Sequence, residues 1–370
     1  MSSKMPSRDL QLLSGSHVLL YIAISIAMVA ACANDDAADL DGLPKSASTE
    51  SRDVSEHMRA SLLVDASGAD DNAAGRVGVL FELEAGWHAY WQNPGETGLP
   101  PELNWSGRRA NGKQIVEGDF GATQWPTPIP FKGGGSRLVS YGYADQVLLM
   151  NPVADFGSLA DVSVDASILI CADRCIPVNF TLSRNLLAKP LAVTADVERA
   201  LFVKFAEQVP REATALDVGL AAHYSSAELA AGDVFEGAIA IERCKTRHPD
   251  CSAIVPSSGS TFFPDEPTDE ALSFAFVGVA PHPEQPKVTL LRFRATLEND
   301  LDELPAQIGG VLQVKGRNGE QYAVSLALPF PAAGQTTTGS SIEIAPSWMT
   351  AAGELGPGAT EQTAGALSDM

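Results

Sequence analysis

Short runs of alternating apolar and polar residues, each closed by glycine, proline or a polar turn cluster, recur through most of this chain. Arg76-Val77-Gly78-Val79-Leu80-Phe81-Glu82-Leu83, Val147-Leu148-Leu149-Met150, Ser167-Ile168-Leu169-Ile170 and Val288-Thr289-Leu290-Leu291-Arg292-Phe293-Arg294 are of this kind. A period of two sends successive side chains to opposite faces of a strand. Runs this short, rich in β-branched and aromatic residues, suit antiparallel sheets packed in pairs. The fold class expected is all-β, and 370 residues leave room for two sandwich domains plus tails. One stretch breaks the pattern. Ala195 to Val209 has apolar residues at helical spacing and stops before Pro210, so it reads as a short helical connector between two β domains, with the boundary near residue 190.

The two ends lack this periodicity. Lys4 and Arg8 precede an uncharged apolar run, Val18 to Ala31, that matches the hydrophobic region of a signal peptide; a bilayer span needs about 20 residues. The run closes on Val29-Ala30-Ala31-Cys32, which resembles the bacterial lipobox. Residues 1–31 are therefore expected to be a lipoprotein signal peptide and Cys32 the lipidated residue, anchoring a periplasmic protein to the inner or outer bacterial membrane. Ala33 after the cysteine favours the outer membrane. Residues 32–56, small, acidic and serine-rich, read as a flexible tether. Residues 331–370, dominated by Gly, Ala, Thr and Ser, read as a disordered tail.

The formal charge of −21, from 46 acidic and 25 basic side chains, disfavours nucleic acid and anionic headgroups as partners, and no Lys/Arg-rich run offsets it. Neither a Gly-x-Ser-x-Gly elbow, a phosphate-cradling glycine loop nor a His-Glu-x-x-His helix occurs, which removes the common hydrolase, nucleotide-dependent and zinc-protease classes.

With Cys32 assigned to lipid, the remaining cysteines fall in two close pairs. Cys171 and Cys175 flank Ala172-Asp173-Arg174 between two apolar runs. On one continuous strand they would stand about 13 Å apart, against the roughly 4.4–6.8 Å between Cα atoms that a disulfide needs. They must therefore straddle a turn. A three-residue hairpin loop would bring the flanking residues to about 4.5–5.5 Å across the strands. Bonding is then natural, and two uses remain open. Closing so small a loop stabilises little, which makes a staple a modest role; a turn tip is also accessible to another protein, with Arg174 favouring a thiolate and Asp173 opposing it. Cys244 and Cys251 enclose Lys245-Thr246-Arg247-His248-Pro249-Asp250. Two cysteines and His248 are too few soft ligands for a metal, and a structural disulfide is the expected reading, although the basic flank would also suit a reactive thiol.

Four motifs stand in a distinctive order: Gly86-Trp87-His88-Ala89-Tyr90-Trp91-Gln92-Asn93-Pro94-Gly95-Glu96-Thr97-Gly98-Leu99-Pro100-Pro101-Glu102, then Trp125-Pro126-Thr127-Pro128, Tyr141-Gly142-Tyr143, and Cys171 to Pro177. Together they resemble the periplasmic N-terminal domain of DsbD-type thiol:disulfide interchange proteins, especially the ScsB-like branch. Phe262-Phe263-Pro264 and the strands after it look like the second portion of the ScsB-like region. The resemblance implies immunoglobulin-like β-sandwiches over residues 57–190 and 191–330, and a Cys171/Cys175 dithiol that takes electrons from a membrane-embedded donor and reduces periplasmic thioredoxin-fold proteins. It makes Cys175 the residue that bonds the partner and Cys171 the resolving thiol. It also implies a cap loop, here Phe131 followed by Lys132-Gly133-Gly134-Gly135-Ser136, a stretch that also reads as a plain exposed loop. Read from the residues alone, Tyr90, Trp91, Tyr141 and Tyr143 are site-lining candidates, although aromatics at alternating strand positions more often belong to a core, and His88 is a candidate proton acceptor or, more commonly for a lone histidine, a packing or surface residue. No cofactor is expected.

Two departures qualify this. The cysteine interval is tighter than in DsbD proper, and the membrane and thioredoxin-like domains of full-length members are not expected in this chain, so electron shuttling would draw on a separate membrane donor. The alternative is a noncatalytic envelope binding protein with a structural Cys171–Cys175 bond; a copper-handling role follows only from the association of ScsB-like systems with copper tolerance.

Overall fold

The computed structural model describes residues 51–67, 75–132, 139–187, 192–216, 218–224, 229–243, 260–282, 285, 287–301, 303–315 and 321–330. The signal peptide with Cys32, the loop Gly133–Ser136, the Cys244/Cys251 pair and the C-terminal tail lie outside the described residues. Among the described residues, no helix is long and apolar enough to cross a membrane.

Strands β1 (Ser51–Ser55), β2 (Met58–Asp65), β3 (Gly75–Leu83), β4 (His88–Gly95), β5 (Glu102–Arg109), β6 (Gln114–Ile115), β7 (Ile129–Lys132), β8 (Val139–Ala144), β9 (Gln146–Val153), β10 (Leu159–Cys171) and β11 (Cys175–Asn185) build the first sandwich. One sheet has the order β1-β2-β3-β9; the other runs β6-β5-β10-β4-β8-β7, with β11 on the remaining edge of β10. Alternation drives the packing. Along β11, Val178, Phe180 and Leu182 are buried while Cys175, Pro177, Asn179, Thr181 and Ser183 are exposed, the pattern of a strand with one face on a core. Phe180 meets Phe81 of the opposite sheet edge-on, with ring centroids 6.3 Å apart. Across the same interior, the buried Trp105 indole N–H donates to Asn151 Oδ1 at 3.1 Å.

Two features differ from the sequence expectation. Ser51–Ser55, read from composition as the end of the tether, forms a strand paired with β2; an edge strand with one neighbour needs little apolar surface, which is why a polar stretch can supply it. The helix that joins the two sandwiches spans Ala192–Ala206 rather than 195–209, and it packs on β2 and β9 of the first. Leu201, Phe202 and Phe205 are its buried contacts. Glu198, 2% exposed, accepts from Arg184 Nη1 at 2.7 Å and from the Val64 amide at 3.3 Å.

Strands β12 (Arg211–Glu212), β13 (Val218–Tyr224), β14 (Val234–Arg243), β15 (Thr261–Pro264), β16 (Leu272–Pro281), β17 (Val288–Leu297), β18 (Gln307–Lys315) and β19 (Gln321–Pro329) form the sheets β12-β19-β18-β15 and β13-β14-β17-β16. Phe235, Ile239, Phe293 and Leu297 from one sheet share a core with Phe262, Leu312, Val314 and Leu326 from the other. The architecture is all-β and immunoglobulin-like. The second sandwich touches β4 of the first at Phe263 and Pro264.

Candidate redox site

Strands β10 and β11 pair without a break from Asp161 opposite Asn185 to Cys171 opposite Cys175. Ala172, Asp173 and Arg174 form the loop, closed by the Ala172 amide donating to the Arg174 carbonyl at 3.0 Å. The cysteines thus face each other at the end of a hairpin, with Cα atoms 4.1 Å apart, and are joined as a disulfide. The hairpin expected from their spacing is the geometry observed.

The two sulfur-bearing residues differ in access. By register both belong to the outward face of the hairpin, opposite the buried Ile170 and Val178. Cys175 is exposed, yet Cys171 is only 2% exposed. Its cover comes from β4, which meets the other edge of β10 with His88 opposite Cys171 and Ala89 opposite Ile170. Directly opposed residues share a face, so His88 and Tyr90 stand on the side of the disulfide. The Tyr90 hydroxyl donates to Cys171 Sγ at 3.0 Å.

After Ala89 the chain leaves β10 and rejoins it as β5, with Glu102 opposite Ser167. The excursion between them closes over Tyr90. Gly98 has φ +105° and lies so close that any Cβ there would overlap the Tyr90 ring; only glycine meets both conditions. Thr97 bonds the Ser140 hydroxyl at 2.5 Å. Burial raises the Tyr90 pKa, partly offset by a hydrogen bond with Thr97, so the phenol keeps its proton at neutral pH and remains a donor.

His88 lies between two rings. Phe131 of β7 stacks on it at 4.4 Å and 18°, and Tyr90 meets it edge-on at 5.3 Å. Burial lowers the His88 pKa, which favours the neutral imidazole. Strand β8 approaches β4 closely here because Gly142 has no side chain to strike the Ala89 carbonyl.

The site candidates therefore divide. Tyr90, His88 and Phe131 gather on the side of Cys171. Tyr143 stands opposite Ala89 and so takes the other face, where its buried hydroxyl donates to the Pro126 carbonyl at 2.7 Å. Tyr141 and Trp91 both meet Phe263 of the second sandwich, at 5.6 and 6.3 Å. Sequence reasoning passed over Thr97, Gly98 and Asn93; the Gly-Glu-Thr-Gly turn was the signal available. Among the described residues, no group of three or more His, Cys, Asp or Glu side chains is placed to hold a metal ion.

Residues 61–186 match the family model described as the N-terminal part of the thiol:disulfide interchange protein DsbD. They form a DsbD-type N-terminal domain. The crystal structure of the N-terminal periplasmic domain of ScsB from Proteus mirabilis superposes with a TM-score of 0.50 at 16% identity, covering 76% of this chain and 98% of that one. That likeness agrees with the immunoglobulin-like fold and extends beyond the DsbD-type domain into the second sandwich. A conserved domain protein from Bacillus anthracis aligns at 10% identity over 75% of this chain and 89% of that one, with a TM-score of 0.17, too low to bear on the fold. A search of curated proteins finds no match. The DsbD-type domain and its hairpin disulfide together support thiol–disulfide exchange as the chemistry.

Proposed function

We propose that this protein is a periplasmic exchange module that carries electrons from a membrane-embedded reductase to thioredoxin-fold proteins through the Cys171/Cys175 pair. The carrying observation is the asymmetry of the disulfide: Cys175 is exposed, whereas Cys171 is buried and holds a hydrogen bond from Tyr90. A donor thiolate attacks Cys175 Sγ, and Cys171 leaves as a thiolate that the Tyr90 hydroxyl stabilises. The donor's second thiolate then displaces Cys175, leaving the donor oxidised and the pair reduced by two electrons. In the forward half, the Cys175 thiolate attacks a partner disulfide, and Cys171 resolves the mixed disulfide by attacking Cys175. The partner leaves as a dithiol and the Cys171–Cys175 bond is restored. Phe131, stacked on His88 beside this strand edge, acts as a cap that limits access by small oxidants, and Cys32 supplies a lipid anchor.

The test is equilibration of the full chain with glutathione buffers. An exchange-active pair titrates reversibly as one two-electron couple. A bond that stays oxidised in buffers poised below about −300 mV is a staple and would overturn the proposal.

A further inference from the structure

We propose that the second sandwich is a positioning element for the redox pair: by holding the interior side of β4 through Asn93 and Phe263, it fixes Tyr90 against Cys171. The inference rests on the exchange reading above. Strand β4 is engaged on both faces. His88 and Tyr90 stand with the disulfide, while Ala89 and Trp91 point inward, both fully buried. Trp91 lies edge-on to Phe263 of β15, and Tyr141 packs on the same ring.

Asn93, 3% exposed, joins the two bodies with one amide: Nδ2 donates to the Pro264 carbonyl at 2.8 Å, and Oδ1 accepts from the Gly95 amide at 2.9 Å. Gly95, at φ +75°, turns the chain outward. Glu96 and Val139 then exchange two hydrogen bonds, Glu96 N to Val139 O at 3.1 Å and Val139 N to Glu96 Oε2 at 2.6 Å. Thr97 holds Ser140, and Gly98 lies against the Tyr90 ring. From Pro264 to Cys171 the links are hydrogen bonds, ring contacts and short lengths of backbone.

The anchor on the second sandwich is itself held by hydrogen bonds. Asp265 caps the helix Glu266–Ala271 by accepting from the Thr268 amide at 3.2 Å, and Thr268 Oγ1 accepts from the Gly309 amide at 2.8 Å. Hydrogen-bond strength falls steeply with distance and angle, so a displacement of about 1 Å at β4 suffices to lose the Tyr90–Cys171 bond. The second sandwich thereby tunes a disulfide in its neighbour.

The experiment measures the redox equilibrium constant against glutathione for the full chain, for Asn93→Ala and Phe263→Leu, and for each combined with Tyr90→Phe. Each single variant is expected to shift the constant at least about twofold in the direction of Tyr90→Phe, and the shift is expected to vanish in the Tyr90→Phe background. Ile239→Val, in the core of the second sandwich, is expected to leave the constant unchanged. If Asn93→Ala fails to fold, Phe263→Leu decides. A wild-type pair that titrates normally but is indifferent to the folded variants, shifts that persist undiminished without the Tyr90 hydroxyl, or an equal shift in Ile239→Val would overturn this inference alone. Failure of the wild-type pair to equilibrate would overturn the exchange reading and this inference with it.

Discussion

The Tyr90 hydroxyl donates a hydrogen bond to Cys171 Sγ at 3.0 Å, reaching across the edge where β4 meets β10. A donor fixed beside a buried sulfur stabilises a thiolate far more than a neutral disulfide sulfur, because hydrogen bonds to charged groups are the strong ones. Tyr90→Phe removes the donor and little volume. The reduced state loses about 1.5 kcal/mol, so the equilibrium with glutathione is expected to move roughly tenfold toward the disulfide, about 30 mV for a two-electron couple. Alkylation of Cys171 in the reduced protein at neutral pH should slow in the same variant.

Phe131 stacks on His88, and His88 stands opposite Cys171 in the strand register. Phe131→Ala removes a half-buried ring at the sheet surface. It is expected to cost about 1 kcal/mol of stability and to speed oxidation of the reduced pair by oxidised glutathione several-fold, as read by stopped-flow. An unchanged oxidation rate would show that the ring does not shield the sulfurs.

Acid sensitivity follows from the same residue. Burial holds the His88 pKa below its ordinary 6.5, so as pH falls the unfolded chain takes up the proton first. Unfolding free energy therefore declines from pH 6.5 down to the folded-state pKa, then levels off; above 6.5 the residue contributes no slope. His88→Gln should flatten this part of the profile in urea unfolding between pH 7 and pH 5. A residual slope is expected from His223, whose pKa is lowered by burial and by His282.

The helix Ala192–Ala206 is tied to the first sandwich by a buried ion pair, Arg184 Nη1 to Glu198 Oε1 at 2.7 Å. Removing one partner leaves an uncompensated charge, and in this case the Val64 amide also loses its acceptor. Glu198→Ala is expected to lower stability by about 3 kcal/mol, measured by denaturant unfolding. Glu207→Ala, just past the helix at an exposed position, should stay within about 0.5 kcal/mol of the parent.

The hairpin was legible because Cys171 and Cys175 interrupt two apolar runs at a spacing that a single strand cannot bridge. The burial of Cys171 was not. Strand alternation alone places it on the outward face, and its cover arrives from Tyr90, distant in sequence, through a pairing that no local pattern encodes. The same holds for the tyrosines. Tyr90, Tyr141 and Tyr143 look alike in a strand-rich sequence, and only the register of Tyr90 opposite Gly142 separates the one beside the sulfur from the two behind it. For the helix, apolar spacing gave its existence, while its docking depends on Glu198, which reads in sequence as a surface charge. Ser51–Ser55 was missed because an edge strand can be polar.

A mixed-disulfide trap tests most directly whether the Cys171/Cys175 pair exchanges with partners. In Cys171→Ser, Cys175 should accumulate a covalent adduct with a periplasmic thioredoxin-fold protein, seen on non-reducing gels, released by reductant, and absent when Cys175 is also replaced by Ser. No adduct in either Cys171→Ser or Cys175→Ser, with both proteins folded, would contradict the claim that this pair exchanges with partners.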